Sequence, residues 1–179
     1  VEKVLDPVYL LDVAEWNKIT QKSTLRLENE KYILAYGFKQ QKDLYKYARK
    51  LANARNCKLY SINTNFEDKF LDVDKYFYNA TPYDFVNLVK NAQEVVTNSF
   101  HGLSFSIIYN KPVHQFKKNG TENSRMVDLL NELDLSERLV ISEELLTNQL
   151  NYDITETIIA KNKTKSIEFL QKGLMCNDR

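Results

Sequence analysis

The stretch VVTNSFHGLSFSII, residues 95–108, sets a histidine and a glycine between two apolar runs. A strand that ends in polar residues and hands over to a buried helix would place Ser99, Phe100, His101 and Gly102 at the first turn of that helix. Such a turn carries unpaired N–H groups and a partial positive charge, so a phosphate or carboxylate could sit there. An imidazole at this point could donate a proton or hold an anion. Gly102 would let backbone approach a ligand closely, or let the helix pack tightly on the sheet. A histidine in such a turn can equally cap backbone groups or fill a polar pocket, and the residues alone leave both roles open. His114, in PVHQF (112–116), reads as structural, a satisfied partner at the edge of the sheet.

A second candidate is the loop KKNGTENSR, residues 117–125. It follows a strand and precedes a helix, so it belongs to the same rim. Lys117, Lys118 and Arg125 could meet an anion, the arginine through two parallel hydrogen bonds. Ser124 suits a helix N-cap. Tyr36 and Gly37, after the first strand of the alternating region, occupy a third rim position. No GxGxxG or GxxxxGK[ST] pattern is present, and no pair of carboxylates stands out for acid–base work. Asp84 is read as the acid of a helix start. The two cysteines, Cys57 and Cys176, lie in no metal-binding pattern, and no metal site is expected. Cys57 is read as a buried reduced thiol within a strand and Cys176 as part of a polar tail.

The elements that must position these residues alternate. Strands are expected at 31–38, 57–62, 75–80, 94–98, 112–116 and 138–141. Helices are expected at 43–55, 81–92, 101–109, 123–133 and from 152 to 173, with Gly173 ending the last. Asp12 is expected to cap a short helix near Trp16. Leu44, Ala48, Leu51 and Ala52 share one helical face, as do Phe85, Leu88, Val89 and Ala92. Thr81, Pro82 and Asp84 form a helix-start signal. Strands alternating with helices predict an α/β fold, a Rossmann-like parallel sheet with helices on both faces. Ligands of such sheets bind at the carboxyl ends of strands, near a switch in strand order.

The chain of 179 residues suffices for one domain, 1–179, whose helix and tail over 152–179 form its C-terminal part. A formal charge of +1 with intermingled signs gives no electrostatic footprint for nucleic acid. No apolar run approaches the roughly 20 residues of a membrane span. The few cysteines fit a reducing compartment.

LDPVYLL, YILAYGF, TPYDFVNLVKNAQEVVTNSFHGLSFSIIYNKPVHQF and NSRMVDLLNELDLSERLV, in that order, resemble the polysaccharide pyruvyl transferase family, over about residues 5–141 and most densely over 81–141. The resemblance implies a fold like that of a GT-B glycosyltransferase, two Rossmann-like domains facing a cleft. This chain would then be the second domain, its partner being an N-terminal domain of the same protein, and alone it would be inactive. The implied activity is transfer of a pyruvyl group from phosphoenolpyruvate to two hydroxyls of a saccharide acceptor, free or lipid-linked. No cofactor is implied beyond phosphoenolpyruvate as donor substrate, and the expected location is cytoplasmic or peripheral at the inner membrane. Carried over from the family's motif histidine, His101 would be the general acid. Ser99, Phe100 and Gly102 would contribute the helix start, and Arg125 would hold an anionic group of the donor, with Ser124, Lys117 and Lys118 beside it. Better-understood relatives carry an arginine two positions before this histidine, where this chain has Ser99. The missing charge would come from Arg125, from Lys117 or Lys118, or from the first domain, unless the donor differs. Two other classes compete: a glycosyltransferase using a nucleotide sugar, and a non-catalytic domain that binds polysaccharide.

Overall fold

The computed structural model describes residues 3–38, 42–62, 72–117, 124–148 and 150–175. Five strands run parallel in the order β3-β2-β1-β4-β5. They are β1 (Tyr32–Tyr36), β2 (Lys58–Ile62), β3 (Lys75–Phe77), β4 (Glu94–Thr97) and β5 (Val113–Gln115). The helices are α1 (Val13–Thr20), α2 (Lys42–Arg55), α3 (Pro82–Asn91), α4 (Phe100–Ile108), α5 (Ser124–Glu132) and α6 (Asp153–Met175). The protein therefore has the α/β Rossmann-like fold its alternation predicts.

Side-chain alternation along each strand sorts the core into two faces. Ile33, Ala35, Leu59 and Val96 bury against Leu44, Ala48, Leu51 and Ala52 of α2. Tyr32, Leu34, Tyr60 and Val95 face Val86, Leu88 and Val89 of α3 and Phe105 of α4. A neighbouring cluster joins Leu103 and Ile107 of α4, Val113 of β5, and Met126, Leu129 and Leu130 of α5. Order spreads outward from the central pair β1 and β4 in opposite directions. Crossovers of one hand must then leave these two strands on opposite faces, so α2 covers one face and α4 the other. In sheets of this kind that divergence, at the carboxyl ends of β1 and β4, is where ligands bind.

Local chemistry explains the boundaries. Thr81 caps α3 through a reciprocal box with Asp84, and Pro82 occupies its first turn. Ser23 Oγ also donates to Asp84 at 2.6 Å. Burial opposes ionisation of Asp84, but the Ser23 and Thr81 hydrogen bonds outweigh it and hold the carboxyl below its usual range. Asp84 is thus the helix-start acid that its position predicts.

Several expectations need correction. Cys57 lies outside β2 and is half-buried rather than buried. Asn56 takes a positive φ of 52° and the Cys57 N–H closes back on Ala52 O at 2.9 Å, so the end of α2 consumes this residue before the strand begins. Burial raises the thiol above its ordinary pKa. No full strand forms over 138–141. Ser136–Arg138 is a 3-10 turn, and a single parallel bridge joins Leu139 to Gln115. Beyond it the chain leaves the sheet edge, and Val140 and Leu145 pack on the α2 side. Gly173 does not end α6, which runs on to Met175; the space beside this glycine is open. Asp12 stands at the N-cap of α1 without a side-chain capping bond, and pairs instead with Lys163 of α6. The proposed strand at 75–80 shortens to Lys75–Phe77. Lys118 and Cys176 lie outside the described residues, as do residues 119–123 of the loop 117–125.

Candidate active site

At the carboxyl ends of β1 and β4 the two chains are tied together by the side chains of Thr97, the last residue of β4, and of Asn98 after it. Tyr36 and Thr97 are register partners. The Thr97 hydroxyl donates to Tyr36 O at 2.6 Å and accepts the Ser99 N–H at 3.0 Å. One residue further, Asn98 accepts the Phe38 N–H at 2.8 Å through Oδ1 and donates to Phe38 O at 3.0 Å through Nδ2. Both Thr97 and Asn98 are fully buried. The sequence reading missed this pair. Its signal is two polar residues directly after the apolar pair Val95 and Val96.

Helix α4 begins immediately afterwards. Ser99 is its N-cap, accepting the Gly102 N–H at 3.3 Å, while Ser99 O receives the Leu103 N–H at 3.0 Å. Of the four amides that a helix start leaves unpaired, Ser99 and Gly102 are thus satisfied within the turn. Those of Phe100 and His101 have no intrahelical acceptor. Gly102 is required for the approach of helix to strand. A Cβ at this position would lie 2.4 Å from Thr97 Oγ1. Of the two uses foreseen for this glycine, packing is therefore the one its surroundings impose.

His101, the second residue of α4, is exposed at the rim. Its ring stands edge-on to Phe100, with centroids 5.8 Å apart. On Phe100 lies the Arg125 guanidinium, 4.4 Å from the ring centroid. Arg125 is largely exposed and also reaches Asp6 Oδ2 at 3.5 Å. Arginine, aromatic ring and imidazole are thereby brought together at the carboxyl rim, although Arg125 lies 24 positions beyond His101 in the chain. A groove of about 350 Å³ opens here between residues 3–9 and α5, lined by Phe100, Arg125, Asp6, Asp128 and Glu132 among others. His101 is not among its lining residues.

The remaining candidates fall into place around this cluster. Tyr36 turns its ring towards Phe38 and Phe85, both with centroids 5.1 Å away, and burial raises its pKa. Gly37 sits against α2, where a Cβ would meet Leu44 Cδ1 at 3.1 Å. Lys117 is exposed at the end of the segment following β5. Ser124 is the first residue of α5.

His114 belongs elsewhere. It is buried on the α2 face, with Nε2 2.8 Å from Glu94 Oε2 and Nδ1 2.8 Å from the Tyr47 hydroxyl. Arg55 pairs with the other Glu94 oxygen, and the Leu146 N–H donates to Tyr47 at 3.0 Å. One ring nitrogen thus faces a carboxylate and the other a hydroxyl. Burial works against the charge on Glu94, but hydrogen bonds from His114 and Arg55 outweigh it and lower the carboxyl's pKa. Arg55 ends α2 and Glu94 opens β4, so this network reaches the amino end of the sheet, away from the rim. The structural reading of His114 holds.

Among the described residues, no helix is long and apolar enough to cross a membrane. No curated protein matches the chain significantly. The family model for polysaccharide pyruvyl transferase matches residues 1–114. The matched stretch contains the Thr97 and Asn98 ties and the α4 turn, and ends before Arg125. The chain is a member of the polysaccharide pyruvyl transferase family.

Proposed function

We propose that this domain binds phosphoenolpyruvate at the α4 turn and supports transfer of its pyruvyl group to a saccharide, forming a cyclic ketal. The acceptor is a sugar of a cell-surface polysaccharide or its precursor. The observation that carries this reading is the position of His101, exposed at the second residue of a helix that starts on the sheet's switch point, within the stretch that matches the family.

The chemistry asks for few groups. Protonation of the methylene carbon of phosphoenolpyruvate creates an oxocarbenium-like centre at C2. A sugar hydroxyl adds there and loses its proton, phosphate departs with the C2–O bond electrons, and a second hydroxyl closes the ring, releasing the second proton. His101 is the general acid of the first step, and can recover a proton from an attacking hydroxyl. The α4 amides of Phe100 and His101, with the dipole behind them, favour the phosphate or carboxylate. Arg125, seated on Phe100, supplies the charge that relatives place at the position of Ser99.

In this reading the chain is the second of two domains, so the assay uses the intact protein. Phosphoenolpyruvate at 100 times its Kd should stabilise it by about 2.7 kcal/mol in thermal unfolding. Nucleotide sugars should leave the midpoint unmoved. Arg125→Ala should shrink the phosphoenolpyruvate shift. Stabilisation by a nucleotide sugar and none by phosphoenolpyruvate would turn the reading to a glycosyltransferase; stabilisation by neither would turn it to a saccharide-binding domain.

A further inference from the structure

We propose that Asn98 is a positioning residue, which sets the α4 amide end and His101 against the loop that follows β1. The proposal rests on the reading of the α4 turn as the donor's anion site. The ladder between β1 and β4 ends at Tyr36 and Thr97, where the two chains must part towards opposite faces. At that point Asn98 adds one more rung with its side chain, taking both the N–H and the C=O of Phe38. The carboxamide is the right group for this, because it presents one acceptor and one donor in a plane, as a strand backbone does. Asn98 is fully buried and adjoins the N-cap, so the direction in which α4 leaves the sheet is set within one residue of this rung.

Thr97 fixes the other side of the same turn by holding Tyr36 O and the Ser99 N–H. With Ser99 and Gly102 amides committed inside the turn, the Phe100 and His101 amides remain for a ligand. Their placement relative to the 37–38 loop depends on the Asn98 rung. A residue that merely stabilised the sheet would change folding without discriminating between substrates. A positioning residue changes the handling of the anionic donor and leaves the acceptor alone.

The test uses the intact protein with Asn98→Ala and Asn98→Asp. The aspartate can still accept from the Phe38 N–H, but it cannot donate to Phe38 O and it brings negative charge to the anion's site. Alanine should raise KM for phosphoenolpyruvate about tenfold or more, as misplacement of binding groups does, and leave acceptor KM unchanged. Aspartate should raise donor KM further. Donor KM within about twofold of wild type in a folded variant would overturn the proposal; if alanine does not fold, the aspartate variant decides through the positions of the Phe100 and His101 signals, since its charge alone raises donor KM. Amide and imidazole NMR shifts of Phe100 and His101 give a second readout without turnover. Should the wild type neither bind nor turn over phosphoenolpyruvate, the donor reading fails by itself. Displaced Phe100 and His101 signals in either variant would still support the positioning role, and unmoved signals would overturn it.

Discussion

His101 contributes little to packing, because its side chain stands at the rim and its ring meets only the edge of Phe100 among the aromatic contacts described. Its removal should therefore separate chemistry from stability. His101→Ala is expected to lower turnover by about 10²–10⁴-fold, the range for loss of a general acid. The midpoint of thermal unfolding should stay within about 1 °C of wild type, as for a surface substitution. A variant that unfolds early yet keeps its activity per folded molecule would make the histidine a structural residue. The residue types carried part of this in advance: an imidazole after a polar strand end offered a proton donor or anion ligand, with a structural role left open beside it. The partnership with Arg125 was visible only as a charge somewhere on the rim. Its seat on Phe100 depends on how α5 lies beside α4, which no local spacing encodes.

At the scale of elements, the turn from β4 to α4 is built around a contact with no room to spare. Gly102→Ala would drive a Cβ into Thr97, 2.4 Å from its hydroxyl and 3.1 Å from its Cβ and Cγ2. Overpacking of this kind costs about 1–3 kcal/mol, to be read in urea unfolding. Thr97→Ala in the same chain should recover part of that loss, because the closest atom disappears; strict additivity of the two substitutions would show that they do not meet. Strand and helix identities were legible here from periodicity, and the cap of α3 from Thr81, Pro82 and Asp84. The end of β2's approach was not. Cys57 looks like a strand residue by type, but the left-handed Asn56 draws its amide into the helix end. RLVI over 138–141 likewise has strand composition, and fails to extend because the chain turns across α2 after one bridge. Thr97 and Asn98 were opaque for a related reason: their partners, Tyr36 and Phe38, lie about 60 positions earlier and become neighbours only through strand order.

For the molecule as a whole, buried ionisable groups predict how it responds to acid. Glu94 and Asp84 are both held below the usual carboxylate pKa in the folded state. Their contribution to stability is complete above the unfolded carboxyl value, about 4.3 for Glu and 3.9 for Asp. It is lost as pH falls through the lowered folded values, where the native state gives up its advantage in binding fewer protons. Urea unfolding should thus weaken steeply below about pH 4. Glu94→Ala, which strips His114 and Arg55 of their shared partner, should cost about 3 kcal/mol at pH 7 and flatten the acid response. A loss under about 1 kcal/mol would remove the network from any account of stability.

The rim that carries His101 is roped to the two middle strands rather than hung on a free loop. Protection of the Phe38 and Ser99 amides from solvent exchange should consequently persist until the sheet itself opens. Warming such a protein would extinguish its chemistry at the same temperature that ends its fold, with no earlier, gentler inactivation.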